Sequence, residues 1–484
     1  MSKTSYEAIV GLEVHAELKT ASKIFCACPT TFGAPPNTQC CPVCTGHPGA
    51  LPVLNRHAVE LAIKAGLALG CEISRKSRTD RKHYFYPDLP KAYQISQNEV
   101  PLCQNGGLEI LADEGSRRIG IERIHIEEDA GKLIHAGQET LIDFNRGGVP
   151  LIEIVSRPDL RSGAEAAAYL RMLRGVLVRC GASDCKMQEG SLRCDVNISL
   201  RPVGSETFGT RVEIKNINSF AFVEKAINYE IKRQTELLCR GEAIVMETRR
   251  FNASSGITET MRKKERAEDY RYLPEPDLPA ILLSEKEIEE IADSLPELPP
   301  VHARRLVKTY GIRQKDAEIL ISELSLADFF EDAAKNTRYP VTALNLLLTD
   351  LFPHCAAEPF SSPVSAERLA ELATLLGEGE INSATAKKLL ARMIKCDLSP
   401  VETVRAEGLA QIRDEARIRA LVTDAMEKLP QAVLDWQNGK TAAMRSLQGR
   451  IMASSGGRAD PILAERLLQQ ALEALKTGKE TERV

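Results

Sequence analysis

The stretch GLEVHAEL, residues 11–18, alternates with a period of two. Leu12, Val14, Ala16 and Leu18 fall on one side, and Glu13, His15 and Glu17 on the other. A half-buried β-strand has this pattern, so one strand face would line up carboxylates and an imidazole. Residues 191–201 and 211–215 split the same way: Arg193, Asp195 and Asn197 oppose Leu192, Cys194 and Val196, and the second stretch offers Arg211, Glu213 and Lys215. A solvated sheet face would also look like this. GGVPLIEIVSRPDL does not, because Glu153 interrupts the apolar run Leu151, Ile152, Ile154 and Val155 of a strand buried on both faces. A buried, unpaired carboxylate is costly, so Glu153 requires a metal, a cation or a proton beside it. In IHIEEDAGK, two Ile residues lead into Glu127, Glu128 and Asp129, with Lys132 close behind. Carboxylates from separate strands suit Mg²⁺. Lys82, Arg193, Arg211 and Lys215 are cations able to hold phosphate oxygens, and Mg²⁺ with cations points to nucleotide chemistry.

The second chemical signal is FCACPTTFGAPPNTQCCPVCTGHPG. Cys26 and Cys28 form one close pair, and Cys41 and Cys44 form a C-x-x-C knuckle across a Pro- and Gly-rich loop. Two thiolate pairs suit a tetrahedral, closed, structural Zn²⁺. Cys40 is an alternative to Cys41, His47 a lesser substitute, and an iron–sulfur cluster a competing occupant. The remaining cysteines, such as Cys71, Cys180 and Cys396, read as core fillers.

The elements that must carry these residues follow from periodicity. A helix is predicted over ALPVLNRHAVELAIKAGLALG, capped by Asn55 and stopped by Gly70, with others at 164–180 before Gly181 and 219–240 before Gly241. With the strands they predict an α+β N-terminal cradle domain with a mostly antiparallel sheet. Pro296, Pro299 and Pro300 favour extended chain and mark a boundary. Beyond it strand signals nearly vanish, and segments such as SAERLAELATLLGEGE and SATAKKLLARMIK predict an all-α C-terminal half. LDWQNGKTAAM would divide that half again. The expected domains are 1–295, with the cysteine loop at 26–44, then a helical domain at 296–410 and a tail domain at 411–484.

Composition bounds the function. The chain has 484 residues, 43% hydrophobic and 27% charged, with a net charge of −4 and a pI near 6.2. This argues against a generally basic nucleic-acid binder, so any RNA contact must be local. No export signal or membrane span is apparent, and thirteen cysteines without a disulfide pattern fit a reducing, cytoplasmic setting. The phosphate-binding fingerprints G-x-x-x-x-G-K-[ST] and G-x-G-x-x-G are missing, so a nucleotide site would be built by side chains on a sheet.

In order, GLEVHAEL, the CAC to CPVC loop, FGAPPN, DRKHYFYPDLPKAYQISQ, IHIEEDAGK, FNRGGVPLIEIVSRPD, EGSLRCDVNISLRP and EIKNINSF strongly resemble the B subunit of the tRNA-dependent amidotransferases. The resemblance covers essentially the whole chain and is densest from Tyr6 to Pro276. It implies a ligase component that uses ATP and Mg²⁺ to phosphorylate the side-chain carboxylate of Glu or Asp on mischarged tRNA(Gln) or tRNA(Asn). Ammonia from a partner amidase (glutaminase) subunit would then displace the phosphate, with a small third subunit clamping the pair and the tail domain engaging tRNA. By position, Glu13, His15, Glu128 and Glu153 match the family's metal cluster, with Lys82, Asp195, Glu213 and Lys215 nearby. In the tail, Leu447-Gln448-Gly449-Arg450 departs from the Leu-Val-Gly-Gln of relatives. A non-catalytic tRNA-binding scaffold would not need Glu153 buried, and a zinc hydrolase would need an open metal position that four cysteines do not leave.

Overall fold

The computed structural model describes residues 5–112, 115–263, 270–321, 323–357, 360–396 and 398–481. The chain divides into two compact units, Met1–His302 and Ala303–Val484.

Alternating apolar residues in the first unit produce one nine-stranded sheet. Its strands are β1 (Tyr6–Glu17), β2 (Glu72–Ile73), β3 (Cys103–Ala112), β4 (Gly115–Glu128), β5 (Pro150–Ser156), β6 (Leu192–Pro202), β7 (Val212–Ile217), β8 (Glu247–Asn252) and β9 (Ile257–Lys263). Across the sheet they run β9-β8-β7-β6-β1-β5-β4-β3-β2. Neighbours are antiparallel except β7 and β8, which are parallel. The opening strand is therefore central, pairing with β6 from Tyr6↔Pro202 to Ala16↔Leu192 and with β5 on its other edge.

One face of this sheet is covered by α1 (Arg56–Ala68), α2 (Gly163–Arg179) and α3 (Phe220–Cys239). Val10, Leu12, Val14 and Ala16 join Ile63, Leu170, Leu173, Val223 and Ile227 in one buried cluster. Each large aliphatic of this kind contributes about 1.5–3 kcal/mol by leaving water. The helices start and stop where predicted: Asn55, Ser162 and Ser219 accept hydrogen bonds from first-turn N–H groups, and Gly70, Gly181 and Gly241 follow the last turns at positive φ. With the apolar face used for packing, the opposite face of β1 is left for Glu13 and His15. A small sheet of Leu273–Pro274, Asp80–His83 and Tyr93–Ser96 packs near it, the last of these strands against β4.

Among its described residues the second unit is helical apart from a two-stranded ladder of Ala356–Ala357 with Phe360–Ser361 and a single bridge between Ile412 and Ala459. Pro299 and Pro300, expected in extended chain, instead open the helix Pro299–Tyr310. The first turn tolerates proline because its N–H groups have no intrahelical acceptor. LDWQNGKTAAM, expected to separate two pieces, is the turn between helices Pro430–Gln437 and Ala443–Ser454. Val433, Trp436 and Met444 from its two sides pack on the same cluster of Ile418, Val422, Leu447, Ile451 and Leu468. Among the described residues no helix is long and apolar enough to cross a membrane.

Candidate active site

Strand register builds the site. His15 of β1 lies opposite Glu153 of β5, which lies opposite His125 of β4, while Arg193 of β6 flanks His15 on the other side. Residues in register share a face, so these four form a row across four strands. His15 Nε2 lies 3.3 Å from Glu153 Oε2, 3.4 Å from Glu127 Oε1 and 3.9 Å from Glu13 Oε1. His125 Nε2 reaches Glu153 Oε2 at 3.6 Å and Glu127 Oε2 at 3.8 Å. Two overlapping groups result, Glu13–His15–Glu153 and His125–Glu127–Glu153, each with its candidate ligand atoms within 4.8 Å of one another.

The electrostatics follow from that crowding. Burial pulls the His15 imidazole down, but the Glu153 hydrogen bond and the charges of Glu127, Glu153 and Glu13 outweigh it and raise its pKa to about 9. Burial and the neighbouring Glu153 charge push the Glu13 carboxyl up. Burial would also raise Glu153, yet His125, His15 and Lys82 hold it well below the usual carboxylate range. The buried carboxylate singled out by the sequence thus has cationic partners.

Other predicted residues surround the cluster in different ways. Burial works against the charge on Lys82, but Glu127 and Glu153 keep its pKa above the ordinary value, and its ammonium stands 4.8 Å over the Tyr270 ring. Asp195, opposite Glu13, pairs with Lys215 at 2.5 Å, and Lys215 also lies 3.3 Å from Glu213. Glu213 further accepts from Thr248 Oγ1 at 2.9 Å. Arg193 turns away to Asp129 at 2.7 Å. Arg211 is exposed just ahead of β7 and lies outside the ion pairs of this group.

Glu128 does not join the cluster. Successive side chains on a strand point to opposite faces, so His125 and Glu127 face His15 while Glu128 faces the other way. Its carboxylate takes Lys91 Nζ at 2.5 Å and the Ile95 N–H at 2.9 Å, and it lines a cavity of about 220 Å³ beneath the cysteine loop. The expectation named Glu127 only among the acids of IHIEEDAGK, preferred Glu128 for the cluster and passed over His125, although the period-two reading applied to β1 places His125 and Glu127 on one face. Glu17 is not simply solvated: burial and the Asp129 charge raise it to about 7.

The cysteine loop closes as its spacing predicts. Cys26, Cys28, Cys41 and Cys44 bring their sulfurs within 4.8 Å of one another, with Cys41 and Cys44 sulfurs 4.0 Å apart. A tetrahedral ion with Zn–S bonds of ~2.3 Å separates its sulfurs by about 3.8 Å, so the group can hold a structural metal such as zinc. Cys40 lies outside it, its thiol on the Asn37 carbonyl at 3.2 Å. Fully buried Lys23 donates to Cys44 Sγ at 3.6 Å and to the Phe144 carbonyl at 3.1 Å. Of the cysteines expected to fill cores, Cys71, Cys103, Cys180, Cys185 and Cys194 are buried, but Cys239 and Cys396 are exposed next to helix ends.

Comparison with known proteins identifies the family. The family model described as "GatB/GatE catalytic domain" matches residues 8–289, which hold both clusters, and "GatB domain" matches residues 328–472. The B subunit of the aspartyl/glutamyl-tRNA(Asn/Gln) amidotransferase of Caldanaerobacter subterraneus subsp. tengcongensis is 50% identical over 471 residues, covering 96% of this chain and 99% of the relative. The protein of the same description from Brevibacillus brevis is 47% identical over 480 residues, 98% and 100% of the two chains. The chain belongs to this family of amidotransferase B subunits. These relatives are components of an amidotransferase, and their match extends over both units of the fold.

Proposed function

We propose that this chain is the ATP-dependent component that converts Glu or Asp on mischarged tRNA(Gln) or tRNA(Asn) into the amide, with ammonia from a partner amidase subunit and a small clamping subunit completing the complex. The observation that carries this is the cluster of Glu13, Glu127 and Glu153 around His15 and His125, flanked by Lys82 and Lys215. His15 Nε2 lies among three carboxylates, whose oxygens are the donors a hard divalent cation would take. Glu13, Glu127 and Glu153 would hold Mg²⁺ there, and it would supply charge neutralisation for the transferring phosphoryl group. Lys82 and Lys215 orient phosphate oxygens from either side of the cluster.

A carboxylate does not accept ammonia directly, because its leaving group would be oxide. Transfer of the γ-phosphoryl group forms a bond to a side-chain carboxylate oxygen, breaks the β–γ bridge and releases ADP. Ammonia then bonds to the acyl carbon, the carbon–oxygen bond to phosphate breaks, and the surplus nitrogen proton ends on the departing phosphate. The work is positioning and charge neutralisation, and no protein nucleophile is required.

The test is conversion of Glu-tRNA and of Asp-tRNA by the reconstituted complex with ammonium supplied directly. Amide formation should require ATP and Mg²⁺ for at least one of the two. Amide formation independent of ATP, or none with either tRNA, sinks the proposal. The cysteine group is proposed as a structural Zn²⁺ site, checked by metal analysis of unchelated protein, where about one zinc per chain is expected and none refutes it. We assign tRNA contact to the helical unit, where Lys440, Arg445, Arg450 and Arg458 lie in an acid-free stretch. Exposed Arg445→Glu should weaken tRNA binding and lower its salt dependence, and unchanged binding refutes that assignment.

A further inference from the structure

Lys23 connects the cysteine loop to the turn that leads into β5, and its side chain is fully buried. Its backbone N–H donates to the Cys28 carbonyl at 2.9 Å and its carbonyl accepts from Asn55 Nδ2 at 3.3 Å. The next residue, Ile24, donates its N–H to the Gly148 carbonyl at 2.9 Å. The backbone is thus held by the loop on one side and by the segment ahead of β5 on the other. The ammonium makes the same two connections, donating to Cys44 Sγ at 3.6 Å and to the Phe144 carbonyl at 3.1 Å.

A buried ammonium is costly unless an anion or good acceptors compensate it. Lys91 and Lys215, also largely inside this unit, are met by the carboxylates of Glu128 and of Asp195 and Glu213. Lys23 has no such carboxylate among the described residues, and a cysteine sulfur takes that place. Cys44 Sγ also accepts from the Cys41 N–H at 3.1 Å, so two donors converge on one sulfur. A thiol sulfur is a weak acceptor, whereas a thiolate is an anion. Four thiolates around a divalent ion leave negative charge in excess of the metal's own, which is the anion that the buried ammonium lacks.

We propose that Lys23 is the counter-charge of the tetrathiolate metal group. Its ammonium relieves the repulsion among the four sulfurs and so tightens metal binding, and its N–H···S bond withdraws electron density from Cys44 Sγ and makes that sulfur less nucleophilic. This deepens the structural zinc reading above and rests on it. Lys23 is a positioning residue that acts through Cys44, and its second bond, to the Phe144 carbonyl, ties the metal loop to the turn ahead of β5.

The test is metal binding by the full-length chain at fixed pH, in Lys23→Met, a neutral side chain of similar length, and in Lys23→Gln, a shorter neutral donor. Zn²⁺ affinity is read by competition with a chromophoric chelator, and Co²⁺ loaded in place of zinc reports the sulfur-to-metal charge-transfer band. Both variants should bind Zn²⁺ roughly tenfold to a hundredfold more weakly. In Lys23→Met the Co²⁺ band should move to longer wavelength, and iodoacetamide should alkylate metal-bound Cys44 several-fold faster, as located by peptide mass. Asn37→Gly is the structural control. The Asn37 side chain accepts from the Phe144 N–H at 2.8 Å and donates to the Ile142 carbonyl at 2.9 Å. Its φ of 60° suits glycine, so the variant loosens the same turn without changing charge at the sulfurs, and it should leave the band in place. Unchanged affinity, band and alkylation in folded Lys23→Met overturns the proposal, and so does unchanged affinity in Lys23→Gln should the methionine variant not fold. An affinity loss matched by Asn37→Gly, with no band shift in Lys23→Met, would make Lys23 a structural tie only and overturns it as well. A parent chain that binds neither ion removes the zinc reading and this inference together, whereas a parent that binds both, with variants like it, removes this inference alone.

Discussion

Glu230 of α3 and Glu153 of β5 are both buried carboxylates of the first unit, but they are satisfied differently. Glu230 receives Arg233 through two hydrogen bonds at 2.9 and 2.8 Å, Gln234 at 2.9 Å and Thr258 at 2.5 Å. Arg249 reaches Glu230 at 3.1 Å and Glu247 at 2.6 Å, and Thr260 donates to Glu247 at 2.8 Å. Two carboxylates meet two guanidiniums, so charge is balanced and the acceptor oxygens are engaged. Around Glu153, three carboxylates face two imidazoles and one ammonium, and His125 Nδ1 is buried without a hydrogen-bond partner among the described residues. A closed network uses its charge internally and gives rigidity. The open one gathers acids and imidazoles with a buried nitrogen left unpartnered, the feature on which the proposed cation site rests.

The largest expected effect comes from breaking the open cluster. Glu153→Gln and Glu127→Gln should each lower ATP-dependent conversion of aminoacyl-tRNA, with ammonium supplied, by about a hundredfold or more, because each removes an anionic donor at the centre. Their thermal stability should also fall, since the histidines stabilise the ionised form of both carboxylates and Lys82 that of Glu153. Glu128→Gln should differ in sparing turnover. It breaks the Lys91 pair, lowers the melting temperature, and leaves the cation site intact. Turnover abolished in Glu128→Gln but retained in Glu127→Gln, with both variants folded, would reverse the assignment of the two residues.

Next in size is the closed network. Glu230→Gln or Arg249→Met leaves a buried partner uncompensated and should cost about 3–5 kcal/mol in denaturant unfolding, with turnover per folded molecule preserved. Burial opposes ionisation of Glu230, but its hydrogen bonds from Arg233, Thr258 and Gln234 hold its folded pKa below the ordinary 4.5. A carboxylate with a depressed folded pKa contributes stability that is present above its unfolded pKa and is lost as pH falls through the folded one. The gap between parent and Glu230→Gln should therefore be constant near neutrality and narrow below about pH 4.5. A gap that stays the same down to acid unfolding would show that Glu230 contributes packing alone.

How far the sequence reveals these clusters depends on how local the determining pattern is. The cysteine group is legible because its two pairs lie within one loop, and β1 is legible because alternation over eight residues names its face. The helix ends are legible because Asn55, Ser219, Gly70 and Gly241 act within one turn. Glu127 against Glu128 depended on carrying the same alternation into IHIEE, where a run of three acids obscures it. The Glu230 network and the Lys82 contact with Tyr270 were out of reach. Glu230 meets Thr258 and Arg249, and Lys82 meets Tyr270, only through tertiary pairing across long stretches of chain, which periodicity does not encode.

The smallest expected effect sharpens the limit of the open cluster. Glu17 follows His15 on the same face of β1, yet β1 pairs it with Leu151 and not with an acid or an imidazole. The charges around it are Asp129, Arg193, Arg146 and Asp184, a separate group in which the arginines offset the acids. Arg193 is committed to Asp129, and Arg146 lies 3.5 Å from the same carboxylate. Removing the Glu17 charge should therefore leave the Glu13–His15–Glu153 group, Lys82 and Lys215 untouched. Glu17→Gln should keep turnover within about threefold of the parent and should raise stability near and above pH 7, where burial and the Asp129 charge oppose the ionised carboxylate. The measurement is the same ammonium-dependent assay, run beside a denaturant titration. A loss in Glu17→Gln as large as that in Glu153→Gln would extend the functional cluster along the whole length of β1 and bring Asp129 and Arg193 into it.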